Sequence, residues 1–172
     1  MSADATKHKS KTNPAMWAAT IAGLLIGRYT GVDLLIPLVG AVVTFYALKR
    51  LASPKRSAWF PAIAIQTGHA IWFIVGLAIL GQINANVIDP AFLLLGSLWL
   101  LLRPGTLPVV VLSVLQLAAL SYNVYVFSGT AFGTNSNEAL SVHIIFRALA
   151  VGFMLFAWFA SRRAANAPVI AP

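Results

Sequence analysis

Long apolar runs, broken by short polar segments, dominate the chain. Between residues 13 and 163 the runs fall at 14–29, 33–50, 57–80, 87–103, 106–128 and 138–161. A helix crossing a hydrocarbon core of ~30 Å needs about 20 apolar residues, and five of the six runs approach or exceed that length. The first is the weakest. Its apolar part, from Ala15 to Gly27, is followed at once by Arg28 and rises only ~20 Å, so it is expected to be short, tilted or extended at its ends. A secretory signal is the competing assignment, because Lys7, Lys9 and Lys11 precede the run. No small-x-small cleavage site follows before Arg28, so the segment is expected to stay. The pattern therefore predicts an all-α, polytopic integral membrane protein: a compact bundle of six transmembrane helices. Residues 1–12 are expected to form a disordered basic tail and 164–172 a frayed C-terminal one.

Local punctuation agrees with these borders. Asn13-Pro14 and Asp89-Pro90 place a capping side chain before a proline suited to the first helical position. Asn135 with Glu138 has the spacing of a capping box at the start of the sixth run. A faint internal echo joins Asp33, Gly40, Pro61 and Gln66 to Asp89, Gly96, Pro108 and Gln116. The Asp-to-Gly intervals match and the Pro-to-Gln intervals do not, so duplication of the kind seen in transporters is only weakly indicated.

Composition confirms the solvent. Apolar residues make up 59% of the chain and charged ones 9%, against roughly 25% charged in soluble domains; the mean hydropathy is +0.83. Twelve basic residues face four acidic ones, Asp4, Asp33, Asp89 and Glu138, for a net charge of +8. The basic residues sit in short inter-run segments, where they act as topology signals and meet anionic lipid heads; nucleic acid is not an expected partner. Placing both termini in the cytoplasm puts Lys7, Lys9, Lys11, Lys49, Arg50, Lys55, Arg56, Arg103, Arg162 and Arg163 inside and leaves only Arg28 outside. This follows the positive-inside rule and suggests a bacterial inner membrane. Trp17, Trp59 and Trp158 fall at the expected inner boundary, as members of an interfacial belt. With no cysteine, disulfides, thiolate metal sites and thiol catalysis are excluded.

Candidate chemistry is confined to polar groups inside the runs. Arg147 lies ~13 Å below the outer end of the sixth run, a depth at which a charge must face the bundle interior or a cavity. His143 precedes it by one turn and shares its face. Arg147 either pairs with Asp33, Asp89 or a backbone carbonyl to lock helices together, or fixes an anionic or polar solute from the outer side. Asp33, Asp89 and Glu138 each open an outward-starting helix, where carboxylates complement the helix dipole. They also supply an outer polar cluster with Arg147 and His143. Gln66, Thr67 and His69 in the third run and Ser113 and Gln116 in the fifth form a deeper layer. That layer serves as interhelical glue or as a solute or proton path, which Tyr122 and Asn123 extend outward.

His69 and His143 are expected to differ in depth by ~8 Å, which argues against a bis-histidine haem. No cluster of three or four ligands suggests a metal, so no cofactor is expected. Ala15, Ala19, Gly23 and Gly27 recur at every fourth position, a small-residue face for internal packing, for a partner membrane protein or for a second copy. No nucleophile elbow, phosphate loop, HExxH or paired-carboxylate motif appears, so no catalytic residue can be named.

In span count, small-residue first helix and outer polar cluster, the chain looks similar to the solute-binding subunits of energy-coupling vitamin transporters. That resemblance, which rests on architecture alone, implies capture of a solute from outside and docking to a driving module through the first helix. The expected function is a small transport or channel protein meeting a polar or anionic solute on its outer side. The alternative is a non-catalytic structural or assembly subunit of a larger membrane complex.

Overall fold

The computed structural model describes residues 34–81, 87–131 and 134–166. The first expected span, its stripe of Ala15, Ala19, Gly23 and Gly27, Arg28, Asp33, the expected N-terminal tail and residues 167–172 lie outside the described residues, whereas the expected C-terminal tail begins as helix, the last helix running on to Ala165. The remainder is helical: α1 Leu35–Leu51, a 3-10 turn Pro54–Trp59, α2 Phe60–Ile79, α3 Ile88–Leu102, α4 Thr106–Ser128 and α5 Asn135–Ala165. No strand occurs among the described residues.

Three stretches, Pro54–Ile79, Thr106–Ser128 and Ser136–Ala165, are long and apolar enough to cross a membrane, and Ile88–Leu102 is apolar but shorter. These helices are compatible with a multi-pass membrane protein; six spans are not shown by them. The radial distribution of side chains agrees. Val43, Leu95, Val114, Tyr125 and Phe156 are exposed on the outside, while Gln66, His69, Gln116 and Arg147 are buried within. A water-soluble fold sorts its residues the other way.

Helix borders follow backbone chemistry. Pro54 and Pro61 occupy first-turn positions, where a missing N–H costs nothing. Gly81, with φ of 63°, ends the turn after α2 in the left-handed region that glycine enters without strain. At the start of α5, Thr134 rather than Asn135 is the cap, its hydroxyl accepting from the Asn137 backbone N–H at 3.3 Å. Asp89 does not cap α3: the cap position is Val87, which offers no side-chain acceptor.

Helix α2 is the hub, packed against α1, α3 and α5, while α4 packs chiefly on α5 and barely touches α3. The α1–α2 crossing depends on two glycines. A Cβ on Gly40 would lie 3.2 Å from the Gly68 Cα, and one on Gly68 would lie 2.6 Å from the Ala41 backbone nitrogen. Gly96 likewise faces the helix that follows it, with Leu112 against its Cα, yet α3 and α4 do not form a second close crossing. The two halves of the sequence echo are thus packed differently.

Two apolar clusters make up the core. Trp59, Ile63, Leu100, Leu112 and Met154 belong to the one nearer the basic residues. Leu34, Val142 and Phe146, ringed by Leu38, Ile65, Trp72 and Ile145, form the other. Trp59 is therefore a core residue at 5% exposure, not part of an interfacial belt, because the 3-10 turn folds it under α2. Two contacts register the basic end. Arg56 donates to the Leu101 carbonyl near the end of α3, and Trp158 Nε1 donates to Thr106 Oγ1 at 3.0 Å, with Arg162 stacked 4.8 Å above the Trp158 ring.

Candidate functional site: a buried polar layer

The short helix α3 sets the geometry. Its 15 residues rise ~22 Å, against ~34 Å for the 23 residues of α4. The two helices are joined at the basic end by the three residues 103–105. Helix α3 therefore begins about 12 Å short of the far end of α4, and Asp89, in its first turn, sits at mid-depth rather than at an outer rim.

There Asp89 Oδ2 accepts from Arg147 Nη2. Arg147 Nη1 donates to Gln116 Oε1 at 2.8 Å, Gln116 Nε2 donates to Gln66 Oε1 at 3.4 Å, and Gln66 Nε2 donates to the Ala62 carbonyl at 3.5 Å. The direction of this chain is dictated by its first member. A guanidinium has no acceptor, so Gln116 must turn its oxygen to Arg147, leaving its amide to donate to Gln66 and repeating the polarity one step on. Four helices, α2 to α5, are tied together by hydrogen bonds that run outward from Arg147, one way to Asp89 and the other through Gln116 to Gln66.

Burial is uneven along it. Arg147, Gln66 and Gln116 are at most 2% exposed, whereas the Asp89 side chain is 36% exposed. The chain also leaves groups over: Arg147 Nε, Ser97 Oγ and Ser113 Oγ are buried without a hydrogen-bond partner, as is Asn123 Nδ2 on α4. Each such group costs ~1–3 kcal/mol when left unsatisfied. Asn123 lies two turns beyond Gln116 and takes no part in the chain.

A second constellation lies beside the first. His69 Nε2 and His143 Nδ1 are 2.8 Å apart, within a shell of aromatic rings. Trp72 is centred 6.2 Å from His69 and 5.1 Å from His143, Phe73 is 4.6 Å from His143, and Phe146 is 5.7 Å from His69.

The expected grouping changes accordingly. His143 and Arg147, one turn apart on α5, have different hydrogen-bond partners: His143 turns to α2, and Arg147 reaches α3 and α4. His69 leaves the deeper layer to join His143, while Gln66 and Gln116 join Arg147 and Asp89. The expected ~8 Å offset between the histidines is not found. With the observed borders, His69 lies ~15 Å from Ile79 and His143 ~12 Å from Asn135, because α5 starts three residues earlier than its apolar run. As placed, the two ring nitrogens bond to each other rather than bracket a metal. No group of three or more metal-ligating side chains occurs among the described residues. Ser97 was not singled out from the sequence, although a hydroxyl beside Gly96 in an otherwise apolar helix is a visible signal.

Comparison with family models, curated proteins and solved structures finds no match.

Proposed function

We propose that this is a small integral membrane transport or channel protein with six spans, both termini cytoplasmic, in a bacterial inner membrane. It passes a small polar or anionic solute through the layer formed by Asp89, Arg147, Gln116 and Gln66. The observation that carries this reading is a charged and amide-bearing layer at mid-depth, with three of its buried polar groups unpartnered. Intramembrane charges are expensive and mark solute or ion paths, and unpartnered donors give a polar guest something to bind. The exposed Asp89 carboxylate is the member free to release Arg147 to an arriving anion. The expected first span and Asp33 lie outside the described residues and enter only through the sequence: the former as a docking face, the latter as a further outer acid.

The test is flux in reconstituted vesicles, read by light scattering with a panel of small neutral polyols and small carboxylates. Entry of at least one class is expected, with loss of that entry in Arg147→Ala and Gln116→Leu. Unchanged entry in both variants would remove the layer from the path.

A second reading, a non-catalytic assembly subunit, draws on the pairing of Arg147 with Asp89, which also serves to lock α5 to α3. It predicts that Gly23→Leu or Gly27→Leu abolishes recovery of a co-purifying membrane partner. A wild-type chain that purifies alone as a stable monomer counts against it.

A further inference from the structure

We propose that the His69–His143 pair is a proton-binding site, and that it couples protonation to the neighbouring polar layer. The coupling rests on the transport reading; the proton site itself does not.

Two neutral imidazoles joined by a single hydrogen bond contain one N–H directed at one lone pair. Whichever ring donates, one ring nitrogen outside the shared bond remains a lone pair. The pair can therefore accept a proton and keep its bond, now charge-assisted and stronger. A second proton would set N–H against N–H and part the rings. The pair thus has three protonation states, the third of which separates α2 from α5. Imidazole is the side chain suited to such exchange near neutral pH.

The position of the pair gives that exchange a mechanical consequence. His69 is three residues from Gln66 on α2, and His143 is four residues from Arg147 on α5. Each ring is thus one turn from a member of the hydrogen-bond chain, on the helix that carries it. The charged groups acting on the pair are Arg147, on α5, and Asp89, on α3. From α1, the neighbouring cluster receives Leu34 and Leu38, while Lys49 and Arg50 lie in that helix's last turn at the opposite end. Helix α4 offers the neutral Gln116 and Asn123. A change in the charge of the pair is felt first at Arg147, the residue that holds the layer closed.

Trp72, in contact range of both rings, is the reporter, since imidazolium quenches indole emission more strongly than neutral imidazole. The emission of the full chain in lipid nanodiscs is compared with that of Trp72→Phe across about pH 8 to 4. The difference signal is expected to fall with acidification, and the fall is expected to vanish in His69→Gln and His143→Gln. A flat difference signal, or one that falls equally in both histidine variants, would overturn the proton site. Should either variant fail to fold by circular dichroism, the wild-type against Trp72→Phe comparison still decides. Flux under an imposed pH gradient separates the two proposals. Titration without any flux keeps the proton site and sinks transport. Flux that ignores the gradient, together with a flat signal, keeps transport and sinks the proton site. Titration with flux that ignores the gradient sinks the coupling.

Discussion

Arg147 is held by two acceptors of different character: a neutral amide oxygen buried with it and a carboxylate that is partly exposed. The stability of the pair is therefore asymmetric. Removing Asp89 leaves a buried guanidinium with one acceptor, whereas removing Arg147 leaves a carboxylate that is already partly exposed. Breaking a fully buried pair costs ~3–5 kcal/mol, and the exposure of Asp89 reduces this to about 1–3 kcal/mol. Thermal unfolding in detergent is expected to show Asp89→Leu as more damaging than Arg147→Met. The double variant should be less damaging than Asp89→Leu alone, because it removes the orphaned charge. An additive double variant would mean that the two side chains do not act as a pair. Arg147 was legible from the sequence as a buried charge needing a partner, and Asp89 stood among three named candidates. What single positions could not reveal is direction. Residues one turn apart on a helix share a face only to within the reach of their side chains, and Arg147 and His143, both long enough to turn aside, diverge to different neighbours.

Helix borders were far more legible than helix packing, for a physical reason. Proline, glycine and capping residues act through their own backbone, so Thr106–Ser128 coincides with its apolar run and Ile88–Leu102 differs from its run by one residue at each end. Which helices touch depends on surfaces that the apolar pattern does not distinguish when both lipid and core are apolar. Glycine exposes the difference. Gly68 sits against the backbone of α1, which cannot yield, whereas a Cβ on Gly96 would meet the Leu112 Cδ2 at 2.8 Å, the end of a flexible side chain. Gly152 on α5 has nothing within 4 Å of an added Cβ. Gly68→Ala is therefore expected to lower the melting temperature most, by forcing α1 off α2, and Gly96→Ala is expected to lower it less. Gly152→Ala should be neutral or stabilising by up to ~1 kcal/mol, the helix-propensity difference. The three melts, measured in one detergent, check the order. Equal losses at Gly68 and Gly152 would mean that the α1–α2 crossing is not close.

At the scale of the molecule the open quantity is its orientation, and charge makes a definite forecast. Arg56 meets the end of α3, and Trp158 near the end of α5 meets the start of α4. The basic residues beside them therefore share one end of the bundle. Gly81 and Gly129 follow the opposite ends of α2 and α4, and the sequence segments they open, 81–86 and 129–137, contain no lysine or arginine. Retention of positive loops on the cytoplasmic side during insertion puts the basic end inside. Because the chain has no cysteine, single-cysteine variants report orientation without background. Added to intact bacterial cells, a membrane-impermeant maleimide is expected to label Gly129→Cys and to miss Lys55→Cys and Arg163→Cys; inverted vesicles should reverse the pattern. Lys7→Cys reports the side on which the N-terminus lies. Protection in intact cells is expected from the proposed six spans, which place it beside the basic end. Labelling there would put three lysines on the outer surface, against the electrostatic rule that orients the rest, and would overturn the proposed six spans. Asp89 and the layer beneath it would still sit at mid-depth in either case, since their level follows from the length of α3 rather than from the side on which the chain begins.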